Sequence, residues 1–227
     1  MKNNKTSDFI KGAKAISPLI AGVSPFGMIY GVTAANSGLP DTVSILMSVI
    51  IFAGSAQIAL VDLLKDNAPI FTILSTVFLI NLRMAMYGAS ISSHIRGKNV
   101  FLRMFSAYFL TDQAFAISIG KFAEDKQINK IAFYLGGGIT LWIAWQISTI
   151  TGVLLGKTLP DGLSLEFAIP LTFLAVTIPF LKERYFVVTA VITGIIMLFT
   201  RNLPYHSGFF VSVFAGIFFG MLFKRYA

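Results

Sequence analysis

Apolar residues run along this chain in long blocks, not in alternation. Eight blocks can be marked, at about 16–35, 42–63, 69–92, 101–122, 131–156, 163–181, 185–200 and 205–223. Most are close to the roughly 20 residues that a helix needs to cross the hydrocarbon core. The intervals carry turn formers and charge: Ser37-Gly38-Leu39-Pro40-Asp41, Lys65-Asp66-Asn67, Arg96-Gly97-Lys98-Asn99, Glu124-Asp125-Lys126, Leu159-Pro160-Asp161-Gly162, Lys182-Glu183-Arg184 and Asn202-Leu203-Pro204. None is long enough for a separate soluble domain. The pattern predicts an all-α, polytopic transmembrane helix bundle of about seven or eight spans. It would form one membrane domain over residues 1–227, with broken helices near the midplane.

Composition supports this. Charged residues make up 12% of the chain, hydrophobic residues 56%, and the mean hydropathy is +0.77, whereas a soluble domain carries about 25% charged residues. The lipid bilayer is thus the first predicted partner. The net charge of +8 would suggest nucleic acid in a soluble protein, but here the basic residues sit mainly at helix ends, as topology and anionic headgroups require. No nucleic-acid partner is expected. The absence of cysteine excludes disulfides, thiolate-held metals and thiol nucleophiles, and no His/Asp/Glu spacing resembles a metal site. No cofactor is expected. The polar, basic start, with Lys2, Lys5, Lys11 and Lys14, is unlike a cleavable signal peptide.

With all eight blocks spanning, the basic residues place the N-terminus in the cytoplasm. The cluster of Arg96, Lys98 and Arg103 then falls outside, against the rule, and one re-entrant hairpin would reduce eight spans to seven. A faint echo links two halves, about 16–92 and 140–223. Gly31-Val32 precedes Leu39-Pro40-Asp41 as Gly152-Val153 precedes Leu159-Pro160-Asp161. Transporters are often built from two such repeats with the site between them.

A few polar groups interrupt the blocks at depth. Arg83 lies mid-block, where insertion costs about 2.5–3.5 kcal/mol unless it turns towards the bundle interior. Asn81 adds a strong polar group and Tyr87 shares the helical face of Arg83. Asp112, in Thr111-Asp112-Gln113, comes out at the depth of Arg83 if its block runs antiparallel to that of Arg83. The carboxylate stays ionised beside the arginine and could take up a proton once that partner moves away, so it is the candidate for proton coupling; a purely structural pair is the alternative. Pro25-Phe26-Gly27 should kink or open the first helix and free carbonyls. Gly54-Ser55-Ala56-Gln57 allows close approach or a locally unwound backbone, and Gln57 can both donate and accept. The candidate substrate-binding residues are therefore Pro25, Phe26, Gly27, Gly54, Ser55, Gln57, Asn81, Arg83 and Tyr87. Trp142, Trp145 and Gln146, after Gly136-Gly137-Gly138, read as pocket walls or packing. Glu166, His94 and His206 stand near block ends, where hydration suffices.

Four of these stretches together resemble one family. Ser24-Pro25-Phe26-Gly27 with Tyr30-Gly31, Phe52-Ala53-Gly54-Ser55-Ala56-Gln57, Asn81-Leu82-Arg83 with Tyr87-Gly88, and Leu110-Thr111-Asp112 are similar in order and spacing to the AzlC-type large subunits of bacterial two-component branched-chain amino acid exporters. The second half agrees only in length and block pattern. Met84 and Gln113 depart from the histidine and the acidic residue usual at those places, which leaves proton coupling to Asp112. The resemblance implies a secondary transporter, not an enzyme, in the bacterial cytoplasmic (inner) membrane. It would export leucine, isoleucine and valine, with methionine as a further candidate, driven by the proton gradient, with a small AzlD-type membrane subunit as partner. In that frame Arg83 would meet the substrate carboxylate, Asp112 or an open carbonyl its ammonium group, and Phe26 and Phe52 its side chain. The residues alone leave room for a channel for a small solute, for a structural subunit of a membrane complex, and more remotely for an intramembrane enzyme built on Ser55 and Asp112.

Overall fold

The computed structural model describes residues 5–95, 99–157, 184–203 and 207–226. All secondary structure among them is helical: α1 (Lys5–Asn36), α2 (Asp41–Ile50), α3 (Gly54–Lys65), α4 (Ile70–Ser92), α5 (Val100–Tyr108), α6 (Asp112–Glu124), α7 (Lys130–Gly156), α8 (Arg184–Thr200) and α9 (Ser207–Tyr226). The predicted sixth block, with Glu166, Pro170 and Pro179, and the turns with Leu159-Pro160-Asp161 and His206 lie outside the described residues. The chain divides into two compact units.

The first unit is built on α1 and α7, which lie side by side in parallel. Their contact is backbone on backbone, because glycines face each other along it. A Cβ on Gly12 would lie 1.9 Å from the Phe133 carbonyl oxygen, on Gly136 2.0 Å from that of Phe9, on Gly31 2.3 Å from that of Thr149, and on Gly152 2.1 Å from that of Met28. Without a water-driven hydrophobic force inside a bilayer, such close approach is how helices associate. The Gly triplet of α7 thus serves packing: Gly136 meets Phe9, Gly137 meets Ile117 and Gly138 meets Phe109. α1 runs unbroken through Pro18 and Pro25, so the opening expected at Pro25 does not occur. At the start of the pair, the Asp8 carboxylate accepts from Lys11 Nζ at 2.8 Å and from the Asn129 backbone N–H at 2.9 Å. Asp8→Ala strands that amide at a buried junction. It should lower unfolding stability by about 1–3 kcal/mol, measurable as a lower melting temperature in detergent.

Blocks 42–63 and 101–122, which read as single spans, are hairpins that turn back. α2 starts where Asp41 pairs with Lys157 at the end of α7. It then runs inward against α7: Ser48 Oγ meets Thr149 Oγ1 at 3.2 Å, and the Ser48 carbonyl accepts from Gln146 Nε2 at 3.2 Å. The helix breaks at 51–53. α3 begins at Gly54 beside Phe26 and Trp145 and returns along α1, where Gln57 neighbours Tyr30. The second hairpin enters from the opposite end. The Ser106 carbonyl of α5 accepts from Tyr134 near the start of α7, and Phe109 reaches Gly138. After a break at 109–111, α6 runs back along α7, from Ile117 beside Gly137 to Phe122 against Phe133 and beneath Lys130. The His94 ring, just past α4, lies 5.1 Å from that of Phe122 and tilted to it, so α4 ends on the face where α1 and α7 begin.

Hydropathy could not show these reversals, because both breaks, Ile51-Phe52-Ala53 and Phe109-Leu110-Thr111, are almost wholly apolar. Length does show them. α2 and α3, with 10 and 12 residues, are about 15–18 Å long, half a bilayer. Among the described residues, α1, α4 and α7 are long and apolar enough to cross.

The second unit contains, among described residues, 66–76, α8 and α9. α8 and α9 form an antiparallel pair: a Cβ on Gly208 would approach the Thr200 carbonyl oxygen, and one on Gly216 the Thr193 hydroxyl. The threonine hydroxyls Thr189, Thr193 and Thr200 bond back to carbonyls four residues earlier, which leaves no polar group of theirs to lipid.

Candidate functional site

The two hairpin tips meet inside the first unit. The Tyr108 hydroxyl donates to the Val49 carbonyl and accepts from Trp142 Nε1 at 2.7 Å, while its ring lies 6.3 Å from that of Phe52. The last carbonyls of α2 would otherwise be unsatisfied at membrane depth. Ser48 and Val49 are served by Gln146 and Tyr108, and Tyr30 adds a bond to the Ser44 carbonyl within the helix. Tyr108 was not singled out from sequence. Its one signal was a phenol ending an apolar half-block.

Arg83 of α4 reaches both tips. Its Nη2 donates to Ser55 Oγ at 2.8 Å, in the first turn of α3. Its Nη1 lies 3.2 Å from Asp112 Oδ2, in the first turn of α6. One planar guanidinium thus ties together two helix N-termini, using the fork geometry that an ammonium lacks. Thr111 caps α6 by accepting from the Ala114 N–H at 3.2 Å, which fixes the turn that presents Asp112. Tyr87, one turn after Arg83, stacks on Phe115 at 4.3 Å and 15° and stands beside Asp112.

The pair is half-buried, with 36% of the Arg83 and 28% of the Asp112 side chain exposed. Arg83 Nε and Asn81 Oδ1 are buried with no hydrogen-bond partner among the described residues. Two half-helix N-termini and an arginine converge here, a setting that favours an anion, and Asp112 offsets part of that charge. The C-terminal ends of α2 and α5, with their carbonyls, lie at the same tips.

The predicted residues fall into two neighbouring groups. Ser55, Arg83, Tyr87 and Asp112 form the polar cluster, with Asn81 two residues before the arginine. Phe26, Gly27 and Gly54 gather instead on Trp145: the Phe26 and Trp145 rings are 5.7 Å apart, and a Cβ on Gly54 would lie 2.5 Å from the Trp145 ring. Gln57 is fully buried on the Tyr30 side of α3, and neither amide atom makes a hydrogen bond of good geometry. Pro25 is exposed, away from both groups. Among the described residues no cluster of three His, Cys, Asp or Glu could hold a metal ion.

The sequence match covers this same region. The AzlC protein family matches residues 18–159, from the middle of α1 to just past α7. An uncharacterized membrane protein of Archaeoglobus fulgidus is 32% identical over 198 residues, covering 84% of this chain and 83% of its own. The inner membrane protein YgaZ of Escherichia coli is 25% identical over 229 residues, covering 96% and 89%. An uncharacterized membrane protein of Helicobacter pylori is 28% identical over 173 residues, covering 74% and 75%. No solved structure matches. With its apolar crossing helices, its relatives among membrane proteins and a family match spanning both hairpins, the chain is a membrane protein belonging to the AzlC family.

Proposed function

We propose that this chain is the large subunit of a two-component secondary transporter that exports branched-chain amino acids, coupled to protons and working with a small AzlD-type membrane subunit. The observation that carries the reading is Arg83 bridging the first turns of two half-helices, Ser55 on one and Asp112 on the other. The guanidinium and the helix N-termini receive the substrate carboxylate. Asp112 and the carbonyls at the tips receive its ammonium group, and Phe26, Phe52 and Trp145 offer apolar surface for its side chain. Asn81, Gly27, Gly54, Gln57, Tyr87 and Pro25 belong to the wider binding region, with Pro25 the most peripheral.

Proton coupling follows from the same geometry. Substrate and proton alternate on one carboxylate: ionised Asp112 pairs with the substrate ammonium group, and a proton bound by Asp112 breaks that pair and releases the substrate, so that the two move in opposite directions. The fold also supports a cytoplasmic N-terminus in a bacterial inner membrane. Within the first unit, Lys5, Lys11, Lys14, Arg103, Lys121, Lys126 and Lys130 lie on the face where α1 begins, and Lys65 and Lys157 on the other. The hairpins thereby bring Arg103 to the basic face. The parallel α1 and α7, with Gly31 against Gly152, agree with half-repeats of about 16–92 and 140–223 offset as the sequence echo suggests.

The test is leucine counterflow in proteoliposomes containing both subunits, with and without an imposed pH gradient. Gradient-driven accumulation is expected in the native protein. Asp112→Asn should keep exchange of leucine for leucine while losing the response to the gradient. A variant that still accumulates leucine against its gradient removes Asp112 from coupling, and no movement of any branched-chain amino acid by the folded pair rejects the substrate.

A further inference from the structure

A cavity of about 370 Å³ opens between the second half of α4, α5 and the start of α7. It is within the 300–1,000 Å³ range usual for small-molecule sites. Its walls are mainly apolar: Ile91, Met104, Leu110 and Tyr134 contribute, with Gly88 at the inner end and Arg103 among the lining residues. Its position is defined by its neighbours. Ile91 and Ile95 pack in one cluster with Ile128 and Phe133, so the outer part lies on the face where α1 and α7 begin. Arg103 is exposed there, in the first turn of α5.

The residues at the inner end stand next in sequence to the polar cluster. Gly88 follows Tyr87, and Leu110 directly precedes Thr111-Asp112. Leu110 comes near Gly88: a Cβ added there would sit 3.8 Å from Leu110 Cδ2. From Ser92 to Arg83 is nine residues of helix, about 13 Å along the axis. The cavity therefore runs from one arginine at its mouth to a second beyond the Leu110–Gly88 contact, with apolar walls between them. An acid with an aliphatic tail suits both features: cationic ends attract its carboxylate, and an apolar wall accepts its tail.

We infer that this cavity is the loading vestibule of the transporter, open on the face that carries the N-terminus. In it Arg103 draws in the amino acid carboxylate, and the Leu110–Gly88 contact is the constriction it passes to reach Arg83. The inference rests on the function proposed above but can be tested apart from its substrate. Gly88 matters because it is where side-chain volume would close the path.

The chain contains no cysteine, so single cysteines can report accessibility directly. Ala107→Cys and Ser92→Cys are placed on the cavity wall, and Ile147→Cys on the exposed apolar face of α7 as the lipid-facing control. With an anionic, membrane-impermeant thiosulfonate applied from the N-terminal face, both wall cysteines should label at least about tenfold faster than the control, since the reactive thiolate exists only where water reaches it. Labelling from the opposite face should be slow. Gly88→Trp in the Ala107→Cys background should cut labelling about tenfold by filling the space that water needs. If that variant does not fold, Arg103→Glu in the same background should shift preference from the anionic to a cationic reagent by about tenfold. Wall cysteines no faster than Ile147→Cys, or labelled equally from both faces, overturn the vestibule. Protection by leucine supports vestibule and substrate together, whereas fast one-sided labelling that leucine leaves unchanged keeps the vestibule and rejects the branched-chain substrate.

Discussion

Arg83→Ala is expected to abolish leucine movement, by about 100-fold or more, in both exchange and gradient-driven modes. Losing one partner of a charged pair at a site of this kind is worth roughly 2–5 kcal/mol of binding, and here one side chain makes two bonds. The variant frees Ser55 and leaves Asp112 without its cation, so the two hairpin tips lose the group that ties them together. Breaking a fully buried pair costs about 3–5 kcal/mol of stability; this pair is about one-third exposed, so folding should suffer less than transport. Arg83→Lys separates the two roles. It keeps a cation near Asp112 but cannot hold Ser55 and Asp112 with two separate planar donors, so partial exchange with weakened substrate affinity is expected. Equal leucine affinity and flux in the native protein and Arg83→Ala would remove this residue from the site.

The largest effect on folding is expected from glycines of the α1–α7 contact. Gly152→Leu places a side chain where a Cβ alone would be 2.1 Å from the Met28 carbonyl oxygen, and Gly136→Leu meets the same obstacle at Phe9. The obstructing atom is backbone in each case, so no rotamer change relieves the clash and the two helices must separate. Both hairpins pack against this pair, so the whole first unit should be lost, seen as an absent monodisperse peak in detergent. Gly22→Ala and Gly120→Ala are the controls. Among the described residues nothing beyond the helix itself lies within 4 Å of a Cβ at either position, and replacing a mid-helix glycine by alanine is worth about 0.5–1 kcal/mol in favour of the helix. Those variants should melt slightly higher. A folded Gly152→Leu protein with unchanged melting temperature would show that the contact is looser than drawn.

Much of the candidate site was legible in the chain. Arg83 and Asp112 could be paired because each is a charge inside an apolar block, and the expense of such groups in lipid demands a partner at equal depth. That argument assumed two whole antiparallel spans. The pairing holds, but by another route: α5 runs antiparallel to α4, the chain reverses at 109–111, and Asp112 opens the helix that runs back. Gly54-Ser55-Ala56-Gln57 was read as unwound or closely packed, and the break falls immediately before it. Its residues divide between two faces, however, with Ser55 on Arg83 and Gln57 on the Tyr30 side. Periodicity at such a break could not reveal that division. At Pro25 the helix does not open: α1 stays helical through it where it packs along α7.

Residue order alone places this protein in a membrane, makes it helical, and requires a few charged groups to find each other within it. These follow from transfer energies, which depend only on residue type and block length. Only the tertiary structure decided that blocks 42–63 and 101–122 turn back on themselves, and that their tips meet at Tyr108, Phe52 and Arg83. Hydropathy records whether a segment tolerates lipid and carries no information about its direction. Direction was decided by which face each half-helix could offer to the glycine-lined pair of α1 and α7, a choice made by contacts between residues far apart in the chain.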